Sequence, residues 1–201
     1  IQDLIGEPVR VALGAEDTSF HGMGREDIDV RCLGSGRPFV LEIKRPTKRD
    51  FDLEKLISAV NNNAKGNVEI ENLEWCSKKK INEVKQSRSE KTYTIRFRLQ
   101  SIDDLEDIEG SLLSLSGKLI DQETPKRVSH RRAAKIRKRR IISISKVSVD
   151  GDEVELTLRC EAGTYVKELV HSDEGRTKPS VQGVLGVECE VIWLDVEEIH
   201  D

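Results

Sequence analysis

Ile142-Ser-Ile-Ser-Lys-Val-Ser-Val149, Asp150-Gly151 and Val154-Glu-Leu-Thr-Leu-Arg-Cys160 lie close together in the last third of the chain. Two alternating runs around Asp-Gly predict a hairpin, because Asp-Gly accepts the positive φ of a turn that matches strand twist. Upstream, Tyr93, Ile95, Phe97 and Leu99 alternate with Thr94, Arg96 and Arg98, which predicts a strand with one wet face. Downstream, Gly163-Thr164 breaks the second hairpin strand, and Tyr165 to His171 reads as a short helix. Val187, Cys189, Val191 and Trp193 alternate as a last strand.

Working back from this core, Leu112 to Leu119 is expected to be a strand. So is the segment holding Val68, Ile70 and Leu73, while Ser77 to Ser87 is expected to be helical. Asp50 is positioned to cap a helix with apolar positions Phe51, Leu53, Leu56, Ile57 and Val60, ending at Asn61-Asn62-Asn63 and Gly66. Ile28 to Leu33 and Pro38 to Ile43 flank Gly34-Ser35-Gly36 and are expected to pair as a hairpin. Gly14 to Gly24 reads as a loop, and the opening to Val11 carries no assignable pattern. At least seven strands with few helices between them imply an α+β fold, a mostly antiparallel mixed sheet flanked by helices and loops.

The chain has 201 residues, the size of one domain or two small ones. No apolar run approaches the roughly 18 residues of a membrane span. Asp3, Glu7 and Arg10 interrupt the opening and argue against a signal peptide; the start at Ile1 fits a processed product or an excised piece. Cys32, Cys76, Cys160 and Cys189 form no Cys-x-x-Cys pair, so reduced, mostly buried thiols in a cytoplasmic protein are expected, without zinc. The net charge of −4 hides an asymmetry: nine Lys/Arg and no acid lie between Lys126 and Arg140, leaving 24 basic against 37 acidic residues elsewhere. A cationic strip on an acidic body suits a polyanion such as nucleic acid.

Three clusters could carry chemistry. Gly22 to Asp29 sets Glu26, Asp27 and Asp29 beside glycines, a pattern that also fits a solvated acidic loop. Asp29 followed by Glu42-Ile43-Lys44 has the form of a metal-dependent nuclease, in which two carboxylates hold Mg²⁺ and a lysine orients water. Lys167 follows the Gly163-Thr164 turn and could face a carboxylate or simply water.

Gly24-Arg25-Glu26-Asp27 resembles the Gly-Arg-x-Asp motif of pseudouridine synthases, which carries their single catalytic aspartate. Lys91-Thr92-Tyr93 resembles the second motif of that superfamily, and Gly163-Thr164-Tyr165-Val166-Lys167 the third, in the same order. Gly24 through Arg31, Gly36-Arg37-Pro38-Phe39, Glu42-Ile43 and His171 through Ser180 resemble the archaeal and eukaryotic family that makes pseudouridine 54 and 55 in the TΨC arm of tRNA. The resemblance covers nearly the whole chain. It implies the pseudouridine synthase fold, with residues 1–201 as the catalytic domain lacking the N-terminal, Cys-x-x-Cys-bearing RNA-binding domain of full-length members.

The resemblance also implies roles. Asp27 would be the carboxylate acting at the sugar, with Asp29 its alternate. Lys167 would be the ion-pair partner that keeps Asp27 charged against desolvation. Tyr93 would lie on the uracil and relay the C5 proton, and Val166 would close the pocket. Arg25 would fill the gap left by the extruded uridine, since C1′ and C5 are not reachable together in a stacked base. The reaction needs no redox step, so no cofactor, nucleotide or metal is expected. With eight aromatic residues the chain is a poor stacking platform, so tRNA would be held through phosphates and shape, with Arg131, Arg132, Arg137 and Arg139 of the strip as contacts. The expected state is a monomer with no membrane association. A non-catalytic RNA-binding module using only the strip, and the nuclease, are the alternatives.

Overall fold

A computed structural model describes residues 1–102 and 105–200, with Arg131 described in its backbone alone. In chain order the elements are α1 (Gln2–Leu13), β1 (Asp17–Gly22), β2 (Arg31–Cys32), β3 (Phe39–Lys44), α2 (Leu53–Ala64), α3 (Lys79–Gln86), β4 (Lys91–Leu99), α4 (Ile108–Leu113), β5 (Leu119–Glu123), a 3-10 turn (Lys126–Arg131), β6 (Ile136–Asp150), β7 (Glu153–Cys160), α5 (Val166–His171), β8 (Thr177–Lys178), α6 (Val181–Leu185) and β9 (Cys189–Ile199). The chain divides into two compact units, Ile1–Arg25 with Pro38–Ser87, and Glu26–Arg37 with Arg88–Asp201.

In the first unit α1 presents Ile5, Val9 and Leu13 to Leu56 and Val60 of α2. Pro8 sits inside α1. Its missing N–H would have met the Leu4 carbonyl, which instead accepts from Asn63 Nδ2 at 3.2 Å. The helical spacing of Ile5, Val9 and Leu13 explains order where the opening segment carried no assignment. The expected loop after Gly14 is in fact β1, paired antiparallel with β3 and fastened by Phe20 stacked on Phe39 at 5.1 Å. The capping residue of α2 is Asp52, not Asp50, and the helix runs through its three asparagines to Ala64. No strand forms at Val68 to Leu73, because the Asn61 side chain takes both Ile70 backbone groups, at 2.8 and 3.0 Å, as a strand partner would.

The second unit is a seven-stranded sheet in the order β2-β9-β4-β7-β6-β5-β8. Pairing is antiparallel except where β2 runs parallel to β9. This is the expected α+β class with a mostly antiparallel sheet. Its core is the inward row of β4, Ile95, Phe97 and Leu99, with Leu156, Leu158 and Val196. The Asp150-Gly151 hairpin forms as β6–β7, but β6 begins earlier, at Ile136, so its first half carries the cations and pairs with β5. Leu112 to Leu119 is not one strand: Asp107 caps α4, and Leu112 and Leu115 are buried one turn apart.

The expected hairpin of Ile28–Leu33 with Pro38–Ile43 does not form, because β2 joins β9 and β3 joins β1. Leu33 N donates to Val196 O at 2.7 Å, and Gly34 lies so close to β9 that a Cβ there would stand 2.1 Å from Glu197 O. Gly34 has φ +58, whereas Gly36, at φ +75, faces open space. Gly36→Ala should therefore cost about 1 kcal/mol of backbone strain. Gly34→Ala should cost at least about 1 kcal/mol more, since it adds a clash to the strain. Urea unfolding of the two variants checks this; equal losses would show that β2 does not need the close approach.

Candidate active site

The segment after Gly24 turns at Asp27, whose carbonyl accepts from Val30 N at 3.2 Å, and enters β2 at Arg31. Arg31 is clamped on Asp195 of β9: its Nε donates to both carboxylate oxygens at 2.9 and 3.1 Å, its Nη2 to Oδ2, and its backbone N to Oδ1 at 3.3 Å. Asp195 is 3% exposed, so a buried charge fixes the frame from which Asp27 and Asp29 project.

From the other side comes α5. Its start is set by Gln122, fully buried in β5, whose side-chain amide pairs with both backbone groups of Tyr165 at 2.9 Å. Arg137 lies over the Tyr165 ring, 5.8 Å from its centroid, and donates to Thr124 Oγ1 at 2.8 Å. Arg139 packs its guanidinium against Gly163, where a Cβ would lie 3.4 Å from Nη2. Val166 is buried; Lys167 after it reaches the Asp27 segment, and Glu168 is engaged by Arg127.

Lys167 Nζ holds Asp29 at 2.7 and 2.9 Å and stands 3.8 Å from Asp27 Oδ2. Arg127 Nη1 donates to Asp27 Oδ1 at 2.7 Å, while its Nε and Nη2 reach Glu168 at 2.5 and 3.3 Å. The hydrogen bond from Lys167 holds the Asp29 carboxyl below its ordinary value. A carboxyl so lowered stabilises the fold above its unfolded pKa, and that contribution is lost as pH falls through the folded value. The Glu168 carboxylate raises Arg127, which is cationic in any case.

Lys91 Nζ forms an ion pair with Glu26, the neighbour of Asp27, and both are largely buried. Tyr93, two residues along β4 on the same face, is 4% exposed. Burial, and then the charge of Glu26, raise its hydroxyl far above the ordinary range, so it is a neutral phenol.

Asp27, Asp29 and Lys167 thus lie together, and Lys167, expected to pair with Asp27, is hydrogen-bonded to Asp29 instead. Arg132 is exposed, Arg137 and Arg139 are half-buried against the Gly163–Tyr165 turn, and the Arg131 side chain lies outside the described residues. Arg25 is exposed within the first unit. Glu42 is engaged by Lys78 at 2.8 Å and by His21 at 3.4 Å, and Lys44 by Asp17 at 2.6 Å. No group of three His, Cys, Asp or Glu among the described residues is placed to hold a metal. Cys160 and Cys189 are buried and Cys32 partly so, but Cys76 is exposed, against the expectation for most of the thiols only in its case. The site residues missed in the sequence are Arg127, Glu168 and the Lys91–Glu26 pair. Glu168 carried a signal: an acid between Lys167 and apolar Leu169-Val170 in a short helix.

The fold recurs in solved structures. A chain in the crystal structure of a Cbf5-Nop10-Gar1 complex superposes with a TM-score of 0.56 at 19% identity, covering 95% of this chain and 43% of that one. One in an archaeal box H/ACA sRNP Nop10-Cbf5 complex gives 0.50 at 15%, covering 99% and 43%. The family model described as Pus10, C-terminal, matches residues 1–200, and the chain belongs to that family. The tRNA pseudouridine synthase Pus10 of Methanothrix thermoacetophila is 43% identical over 199 residues, 99% of this chain and 44% of that protein. That of Methanothermobacter marburgensis is 45% identical over 201 residues, 100% of this chain and 50% of that protein. The chain therefore spans about half the length of these curated relatives.

Lys91→Met leaves Glu26 charged and enclosed, and should cost about 3 kcal/mol, the scale of a broken buried pair. Lys91→Met with Glu26→Gln should recover most of that loss. Chemical denaturation checks it; a double variant no more stable than the single one would show that the pair's charge is not what matters.

Proposed function

We propose that residues 1–201 form the catalytic domain of a tRNA pseudouridine synthase that isomerises uridine at position 54, 55 or both in the TΨC arm. The observation that carries this is the approach of Asp27 to the cations Lys167 and Arg127 on a segment clamped to the sheet, in a chain of this family. The reaction breaks the N1–C1′ bond, turns the uracil and rejoins it through C5, and a proton leaves C5. Asp27 acts at the sugar, either trapping the C1′ cation or removing a sugar proton. Lys167 balances its charge. Tyr93 packs on the uracil, its neutral hydroxyl serving the C5 proton, and Val166 lines the opposite wall. Arg25 fills the stack vacated by the uridine. No cofactor takes part, and the protein works as a monomer in the cytoplasm. No described helix is long and apolar enough to cross a membrane.

Asp27→Asn should lower pseudouridine formation by about 10² to 10⁴-fold, the range of a lost acid–base or nucleophilic group, with tRNA binding retained. Asp29→Asn should keep most of the activity. The assay is an unmodified tRNA transcript incubated in EDTA and mapped for pseudouridine. Pseudouridine without metal supports this reading, strand cleavage restored by Mg²⁺ supports the nuclease, and binding with neither product leaves an RNA-binding module.

The strip supplies the phosphate contacts. Lys126 and Lys138 are paired with Glu174 and Asp121, whereas Arg132 and Lys135 are exposed without an ion pair among the described residues. Replacing Arg132 and Lys135 with Ala should flatten the slope of log affinity against log salt by about 1.5, at roughly 0.7 to 0.9 per phosphate contact. Parallel slopes for the two proteins would show that these cations do not touch RNA.

A further inference from the structure

Arg127 belongs to the cationic strip by sequence, yet its guanidinium is turned inward. Glu168 is 2% exposed. A carboxylate so enclosed must be paired, and Arg127 is the cation that pairs it, through Nε at 2.5 Å and Nη2 at 3.3 Å. The guanidinium is a rigid planar fork, so fixing two of its nitrogens fixes the third. That third nitrogen, Nη1, donates to Asp27 Oδ1 at 2.7 Å. Lys167 is no substitute, since it closes on Asp29 and stays 3.8 Å from Asp27. The strip is pinned here a second time: Lys126 N donates to Asp173 Oδ2 at 3.1 Å, and its ammonium pairs with Glu174.

We propose that Arg127 is a positioning residue which, fastened by the buried Glu168, orients the Asp27 carboxylate and ties the base of the RNA-binding strip to the active site. The inference rests on the reading of Asp27 as the catalytic carboxylate. Glu168 acts only through Arg127, so the two side chains form one device.

The test measures the single-turnover rate at saturating tRNA transcript, and tRNA affinity separately, for Arg127→Ala, Glu168→Gln and the double variant, with Asp27→Asn as reference. Each single variant should lose about 100-fold in rate, the scale of a misplaced reacting group, while affinity changes less than about threefold. The double variant should be no slower than Arg127→Ala. Millimolar guanidinium should restore part of the rate to Arg127→Ala, but not to the double variant. An unchanged or raised rate in Arg127→Ala, with Asp27→Asn inactive, overturns the proposal; an active Asp27→Asn overturns the catalytic reading beneath it instead. Arg127 is 40% exposed in its side chain, so its removal spares the core, and thermal unfolding of each variant checks this. If Glu168→Gln does not fold, guanidinium rescue of Arg127→Ala decides. A crystal structure of Glu168→Gln with Nη1 still at hydrogen-bond distance from Asp27 would also overturn it.

Discussion

A buried carboxylate, Asp195, governs where the segment carrying Asp27 and Asp29 runs. It stands on β9, next to the edge strand β2, and accepts four hydrogen bonds from Arg31, one of them from the backbone. Two residues of parallel pairing would not hold a strand by themselves. The charged clamp on one side and the Gly34 approach to Glu197 on the other make β2 a fixed edge. Asp27 and Asp29 precede that edge by four and two residues, so their backbone inherits its position from the sheet. A charge that costs desolvation is tolerated here because its partner is bound in a bidentate geometry.

The same physics recurs around the site. Asp27, Asp29 and Glu168 face Arg127 and Lys167, three acids against two cations. Glu26 and Lys91 balance one another beside them. The cations are therefore shared: Arg127 serves Glu168 and Asp27, and Lys167 serves Asp29 and Asp27. A carboxylate that shares both its cations is held in place yet not saturated, and half of each cation's attention lies elsewhere. Such a group keeps lone pairs for a further donor, which a carboxylate in a single tight bidentate pair does not.

Period-2 alternation made β4, β7 and β9 legible, because each buries one face against a continuous core and register then has no freedom. The Asp150-Gly151 turn was equally plain. Partners of short segments were not legible. Ile28 to Leu33 and Pro38 to Ile43 look like neighbours around a Gly-rich turn, but their pairing is decided by Asp195, distant in sequence. Asn61 filling the role of a strand partner for Ile70, and Asn63 capping the carbonyl freed by Pro8, are side-chain to backbone bonds that no local pattern announces. In the site, Asp27 and Lys167 were reached through motifs. Arg127 was hidden among eight other cations of the strip, where charge density suggests one common task.

That task is in fact divided. Lys126 and Arg127 anchor the strip to Glu174, Asp173, Glu168 and Asp27. Arg137 and Arg139 brace the Gly163–Tyr165 turn that starts α5. Lys138 pairs across the sheet with Asp121 and Arg140 donates to the Gly117 carbonyl at 2.9 Å, while Arg132 and Lys135 face the solvent between the 3-10 turn and β6. Counting like charges thus overstates the surface presented to a polyanion, and identifies its location better than its strength. An acidic body repels a polyanion wherever the strip is not, so even a few outward cations give an encounter with one a direction. The inward ones connect that surface to the carboxylate: Arg127, whose Nη1 holds Asp27, lies five residues before the exposed Arg132.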